Sequence, residues 1–280
     1  MRAWAYDRLV SEAITRATRA LSEADALLVN AGAGMGVDSG LPDFRGDAGF
    51  WKAYPPFAKL GLSFVDLANP RWFADDPALA WGFYGHRLNL YRATAPHAGF
   101  ERLRALAAAK PHGAFVFTSN VDGHFQRAGF AEARVVECHG AIETSQCAAP
   151  CGEHLFPSAR EIVVDEATFR ARGDLPACPR CGRIARPNIL MFGDGDWVGT
   201  RTDAQHARLE AWLRELRADG AHLAVLELGA GLAVPTVRMT SESIARRLGG
   251  TLIRVNPREA ETPPGGISIT SGALDFLLPR

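Results

Sequence analysis

The chain alternates between short, almost wholly apolar runs that stop at small or polar residues and longer stretches whose apolar positions recur every three to four residues. Ala26-Leu27-Leu28-Val29, within residues 25–31, leads straight into Gly32. Ala114-Phe115-Val116-Phe117 ends at Thr118-Ser119-Asn120, residues 222–228 end at Gly229-Ala230-Gly231, and residues 251–255 end at Asn256-Pro257. Such runs have no polar face, so each predicts a strand buried on both sides of a sheet. Residues 9–24, 97–109, 202–218 and 236–248 have helical spacing. Strands alternating with helices predict an α/β fold with a doubly wound, parallel, Rossmann-like sheet. Ligands of such sheets lie beyond the carboxyl ends of the strands, so the four terminating loops are expected to converge on one site.

Two segments break the alternation. Residues 46–95 are rich in aromatics and proline and lack strand signals, which predicts a helical cover over the site. Residues 141–185 contain two cysteine pairs and predict a smaller inserted module with its own means of stabilisation. The remaining stretches, 1–45, 96–140 and 186–280, are expected to form the large unit.

Composition narrows the function classes. In 280 residues, 47% are apolar and 22% charged, close to the average soluble domain, which excludes disordered and fibrous readings. A formal net charge of +0 and a pI near 7.1 remove the basic footprint of a nucleic-acid-binding protein. No apolar run approaches the ~20 residues of a membrane span, and the N-terminal residues carry charges throughout, so a cytoplasmic location is expected. Four of the five cysteines lie in tight pairs, Cys147-x3-Cys151 and Cys178-x2-Cys181. That arrangement suits four thiolates around a structural zinc ion better than a disulfide framework, although buried free thiols have the same spacing. His154 lies near enough in sequence to substitute for a ligand, and Cys138 reads as a small buried hydrophobe.

Gly32-Ala33-Gly34-Met35-Gly36 follows a strand, as a backbone that must approach a pyrophosphate requires, and a following helix N-terminus would stabilise the charge. A plain glycine turn has the same composition. The run GAGMGVDSGLPDFRG, residues 32–46, resembles the NAD-binding signature of the sirtuins. Further segments match that family in order: Thr118-Ser119-Asn120-Val121-Asp122, Cys138-His139-Gly140, Arg186 to Asp194, Gly229 to Pro235, and Val255-Asn256.

The resemblance implies an NAD-dependent protein lysine deacylase that releases nicotinamide and O-acyl-ADP-ribose, with zinc as a structural ion and an acylated protein lysine as partner. It implies His139 as general base, acting with Asn120 and Asp122. For the cofactor it implies Gly32, Ala33, Gly34, Asp43, Phe44, Arg45, Ser119, Asn120, Asp122, Gly229, Gly231 and Asn256. For the acyl substrate it implies Ile189, Phe192 and Gly193. Histidine suits the base role because its unperturbed pKa of ~6.5 allows it to take a proton near neutral pH. Tyr84 and Arg87, at i and i+3 of an expected helix, resemble the pair with which some sirtuins grip malonyl, succinyl or glutaryl lysine. Ordinary surface chemistry has the same spacing.

Three departures sit inside these motifs. Gly36 stands where the family usually has serine, Ser119 replaces a glutamine, and Ala230-Gly231 replace Thr-Ser. Loss of the amide at Ser119, beside the nicotinamide ribose, motivates an alternative: protein ADP-ribosylation or NAD hydrolysis on the same fold.

Overall fold

The computed structural model describes residues 2–42, 50, 54, 55, 58, 61–149 and 151–279. Its centre is a six-stranded sheet in the order β3-β2-β1-β7-β8-β9, parallel throughout. The strands are β1 (Ala26–Ala31), β2 (Ala114–Thr118), β3 (Val135–Glu137), β7 (Leu223–Leu228), β8 (Thr251–Val255) and β9 (Ile267–Ile269). Four of these are the expected ones. The edge strands β3 and β9 have only three residues each, too few for a periodic signal.

The period of two within β1 divides its side chains between two cores. Leu27, Val29 and Ala31 pack with Ala17 and Leu21 of the helix Arg2–Glu23 and with Phe100 and Leu103 of the helix Ala98–Ala108. Ala26 and Leu28 face Leu209, Trp212 and Leu213 of the helix Thr200–Asp219, together with Val237 and Ile244 of the helix Thr236–Leu248. This two-sided burial makes the sheet doubly wound. The first helix begins well before residue 9, because nothing between Arg2 and Glu23 is glycine or proline.

A second sheet has the antiparallel order β5-β4-β6, with β4 (Gly140–Cys147), β5 (Phe156–Pro157) and β6 (Ala185–Ile189). Pairing with β4 places Ala185–Ile189 in this smaller sheet rather than the large one. Beside it lies the cover, whose described part is helical: Phe64–Leu67, Trp72–Asp75 and the long helix Pro77–Ala93. Asp76 caps this long helix by accepting from the Leu79 N–H, and Pro77 occupies its first turn, where no N–H is needed. Its aromatic residues Trp81, Phe83 and Tyr84, with Phe73 of the helix Trp72–Asp75, join Ile142, Ile189 and Met191 in a third core. Among the described residues no helix is long and apolar enough to cross a membrane.

One buried charge network joins the central strands. Arg254 on β8, 1% exposed, donates from Nε and Nη2 to Glu227, its direct neighbour on β7, and from Nη2 to Glu242 on the helix Thr236–Leu248. A shift of one residue in register would leave both charges facing apolar neighbours. Arg254→Met is therefore expected to lower the unfolding free energy by about 3–5 kcal/mol, because Glu227 is left buried and unpaired. Arg254→Met/Glu227→Gln should recover most of that loss in urea unfolding.

Candidate active site

The loops after β1, β2 and β7 meet as anticipated. A cavity of about 760 Å³ lies between the large sheet's carboxyl edge and the cover, lined by Gly32, Ala33, Ser119, Asn120, Asp122, His139 and Gly229–Gly231 on one side and Tyr84, Arg87 and Tyr91 on the other. Ile189 to Phe192 close a third side.

The glycine loops form the floor through contact with each other. A methyl group at Gly32 would lie 2.7 Å from the Ala230 Cα, and one at Gly229 would lie 2.5 Å from the Gly34 Cα. The Gly32 N–H donates to the Leu228 carbonyl and the Gly34 N–H to the Gly229 carbonyl, both at 3.0 Å. Absence of Cβ is thus first required for loop-on-loop packing. Gly34 contributes to that packing and does not line the cavity. The helix that follows, Gly34–Val37, is a single turn, so the expected helix N-terminus is short.

Asn256 also differs from expectation. It is fully buried, its amide donates to the Ala230 carbonyl, and its Oδ1 accepts from the N–H groups of Arg258 and Glu259. Its polar atoms therefore tie two strand ends together, and the residue is absent from the cavity wall. Glu259 reaches that wall instead, where its carboxylate accepts from the Leu232 N–H at 3.0 Å. No local motif marks Glu259; only the turn organised by Asn256 brings it there.

His139 occupies the short connection between β3 and β4, where the chain passes from the large sheet to the small one. Its carbonyl accepts from the Leu190 N–H. Burial pushes its imidazole below the usual value, opposed by a hydrogen bond to the Ser119 backbone. Asn120 donates to the Gly32 carbonyl through Nδ2, which turns its Oδ1 into the acceptor available to a ligand. Asp122 accepts from the His124 N–H with Oδ1, whereas Oδ2 lies toward Gly36. At Gly36 an added Cβ would lie 3.3 Å from Leu41 Cδ1, a tight contact that a small shift of that side chain would relieve.

Tyr84 and Arg87 share the cavity wall as the i, i+3 spacing predicts. Tyr84 is 1% exposed, and its hydroxyl has no hydrogen-bond partner among the described residues. Arg87 donates from Nε and Nη2 to the Tyr91 hydroxyl at 3.0 and 2.8 Å and lies within 6 Å of the rings of Phe64, Phe83, Tyr84 and Tyr91. The Ile189–Asp194 segment is held by a fully buried bidentate pair, Arg186 with Asp194, both contacts at 2.7 Å. Ile189 and Phe192 reach the cavity, whereas Gly193 lies outside its lining. Asp43, Phe44 and Arg45 fall outside the described residues.

This arrangement has counterparts among known proteins. The model of the Sir2 family matches residues 32–209. The chain belongs to the Sir2 family. It is 32% identical over 275 residues to an NAD-dependent protein deacylase of Pyrococcus abyssi, covering 95% of this chain and 96% of that one. A Thermus thermophilus protein of the same name is 30% identical, with 96% and 95% covered. A Sir2 homologue solved in complex with NAD superposes with a TM-score of 0.65 at 26% identity, over 92% of this chain and 89% of that one.

The metal module of this Sir2 family member assembles despite its irregular spacing. The sulfurs of Cys147, Cys151, Cys178 and Cys181 all lie within 4.8 Å of one another, with Cys147 to Cys181 and Cys151 to Cys178 at 3.6 Å. Tetrahedral zinc with Zn–S bonds of ~2.3 Å requires sulfurs ~3.8 Å apart, so the four fit that ion. His154 stands behind the set, its Nε2 3.3 Å from the Cys178 sulfur and its ring stacked on Phe156. Purified protein is expected to hold about one zinc ion per chain, and its removal by a strong chelator should lower the thermal midpoint by ~5 °C or more. Cys178→Ser should reproduce the shift without the chelator.

Proposed function

We propose that this chain is an NAD-dependent protein lysine deacylase that takes acyl groups ending in a carboxylate as well as acetyl. The observation that carries the reading is one cavity containing the glycine loops, the Ser119–Asp122 turn, His139 and the Tyr84–Arg87 pair. Its volume of about 760 Å³ suits a dinucleotide together with the end of an acylated side chain. The NAD-binding part would comprise 1–45, 96–140 and the chain after β6, with 46–95 as cover and 141–185, extended by β6, as zinc module.

NAD would supply the ADP-ribosyl group and its nicotinamide the leaving group. The chain's own residues then have separable tasks. Ala33, Gly229 and Gly231 present backbone on the floor, and Asn120 Oδ1 offers an acceptor for a ribose hydroxyl. Asp122 Oδ2 faces the nicotinamide end. His139 takes the ribose proton. Burial keeps the ring neutral and able to accept it. Tyr84 and Arg87 would meet the acyl carboxylate with charge-assisted hydrogen bonds. Most of the rate would come from alignment and electrostatic stabilisation of a cationic ribose.

Activity measurements on the parent and two variants test this. Arg87→Met should reduce kcat/KM for a succinyl-lysine peptide by about 100-fold or more while changing the acetyl value far less, because hydrogen bonds to a charged group contribute ~1.5–3 kcal/mol each. Since burial lowers the pKa of His139, kcat/KM should rise with pH to a plateau through a midpoint below ~6.5. His139→Ala should abolish deacylation, and full activity in that variant would remove its assigned role. Mass spectrometry of the acceptor separates the alternative reading: ADP-ribosylation adds mass to a protein, whereas deacylation removes an acyl mass.

A further inference from the structure

The helix that carries Tyr84 and Arg87 is gripped on its other side by an arm of the cysteine module. The arm, residues 158–172, belongs to the loop between Cys151 and Cys178, so the cysteine cluster closes its two ends. It runs antiparallel along the helix Pro77–Ala93. Arg170 forms a bidentate pair with the cap residue Asp76, at 2.8 and 2.6 Å, and the Ala171 N–H donates to the Ala78 carbonyl. Asn89 donates to the Ile162 carbonyl at 2.7 Å. Arg92 ends the contact by donating to the carbonyls of Ala159 and Arg160 and to both carboxylate oxygens of Glu143.

Residues 78, 82, 85, 89 and 92 follow the helical repeat and form one face, about 150° around the helix from Tyr84, Arg87 and Tyr91. Glycine at 82 and 85 weakens a helix interior, yet both are required by the contact. A methyl group at Gly82 would lie 1.8 Å from the Phe169 carbonyl, and one at Gly85 would lie 2.4 Å from Ile162 Cγ2. Phe169 itself is left-handed, with φ of 51°, a conformation a non-glycine residue keeps only when its surroundings impose it. Six positions from Asp76 to Arg92 are thus pinned by an element that has no part in the cofactor floor.

We infer that the arm at 158–172 is a positioning element for acyl selection: it sets the rotation and height of the helix Pro77–Ala93, and so the placement of Tyr84 and Arg87. This rests on the assignment of that pair to the acyl group. Arg92, Arg170 and Asn89 are positioning residues, and the cysteine module governs specificity through them while the NAD side is untouched.

The test compares Arg92→Ala and Arg170→Ala with the parent in the zinc-loaded, full-length protein, at opposite ends of the contact. The ratio of kcat/KM for succinyl over acetyl peptide should fall about five- to tenfold in each, as expected when hydrogen bonds to a charged group are misplaced rather than lost. The change should appear in KM for the acyl peptide, with KM for NAD held within about twofold. Hydrogen exchange should quicken over residues 83–93 and stay unchanged over 26–31 and 223–228. Unchanged exchange over the helix overturns the inference. So does faster exchange with an unchanged ratio, and so does an equal loss for both peptides and NAD. A parent enzyme in which Tyr84→Phe and Arg87→Met leave the acyl ratio unaltered would instead refute the acyl assignment; KM for the preferred peptide, read against exchange, would then decide the arm's role.

Discussion

Two stretches of backbone, Gly32–Gly34 and Gly229–Ala230, approach so closely that no side chain fits between them, and the site is built outward from that contact. The close approach brings the ends of β1 and β7 together at one height, and two N–H groups of the first loop, those of Gly32 and Gly34, tie it to the carbonyls of Leu228 and Gly229. Asn256 extends the lock to the end of β8, with its amide on Ala230 and its Oδ1 under the turn that presents Glu259. Three strand ends become one rigid floor. Larger side chains at Gly32 or Gly229 would separate the loops and open the floor itself, beyond any effect on a bound phosphate.

Above that floor the construction changes in kind. The wall opposite is a helix with two occupied sides, aromatic and cationic toward the cavity and, at Gly82 and Gly85, without side chains toward the arm of the cysteine module. A buried guanidinium is tolerated because Tyr91 accepts from it and several aromatic faces surround it. Holding such a helix in place from outside leaves its inner face toward the cavity. The four cysteines, which fit a zinc ion, close the loop that does the holding, so the cysteine module and the cavity wall share one helix.

The altered motif positions have physical counterparts. Leu41 packs against Gly36, its Cδ1 3.3 Å from where a Cβ would lie, and the Ser119 backbone bonds to the His139 ring. At Ala230 the carbonyl serves Asn256. Two of these contacts use the main chain, so they do not depend on which side chain stands at the position.

Much of this was legible along the chain. Period and punctuation determined the four long strands, the helices between them and the loops that meet at the site, because burial on both faces leaves a mark on every residue of a strand. Motif order pointed to His139, Asn120 and Asp122, which the fold brings to one cavity, and the cysteine pairs marked a cluster that fits a metal ion. Tertiary structure alone decided the three-residue edge strands, the arrival of Glu259 in the cavity, the consumption of Asn256 in a turn, and the arm lying along Gly82 and Gly85. The physical reason is range: a strand or a glycine turn is specified by neighbours a few residues apart, whereas these features depend on which distant backbone comes within hydrogen-bonding or van der Waals reach.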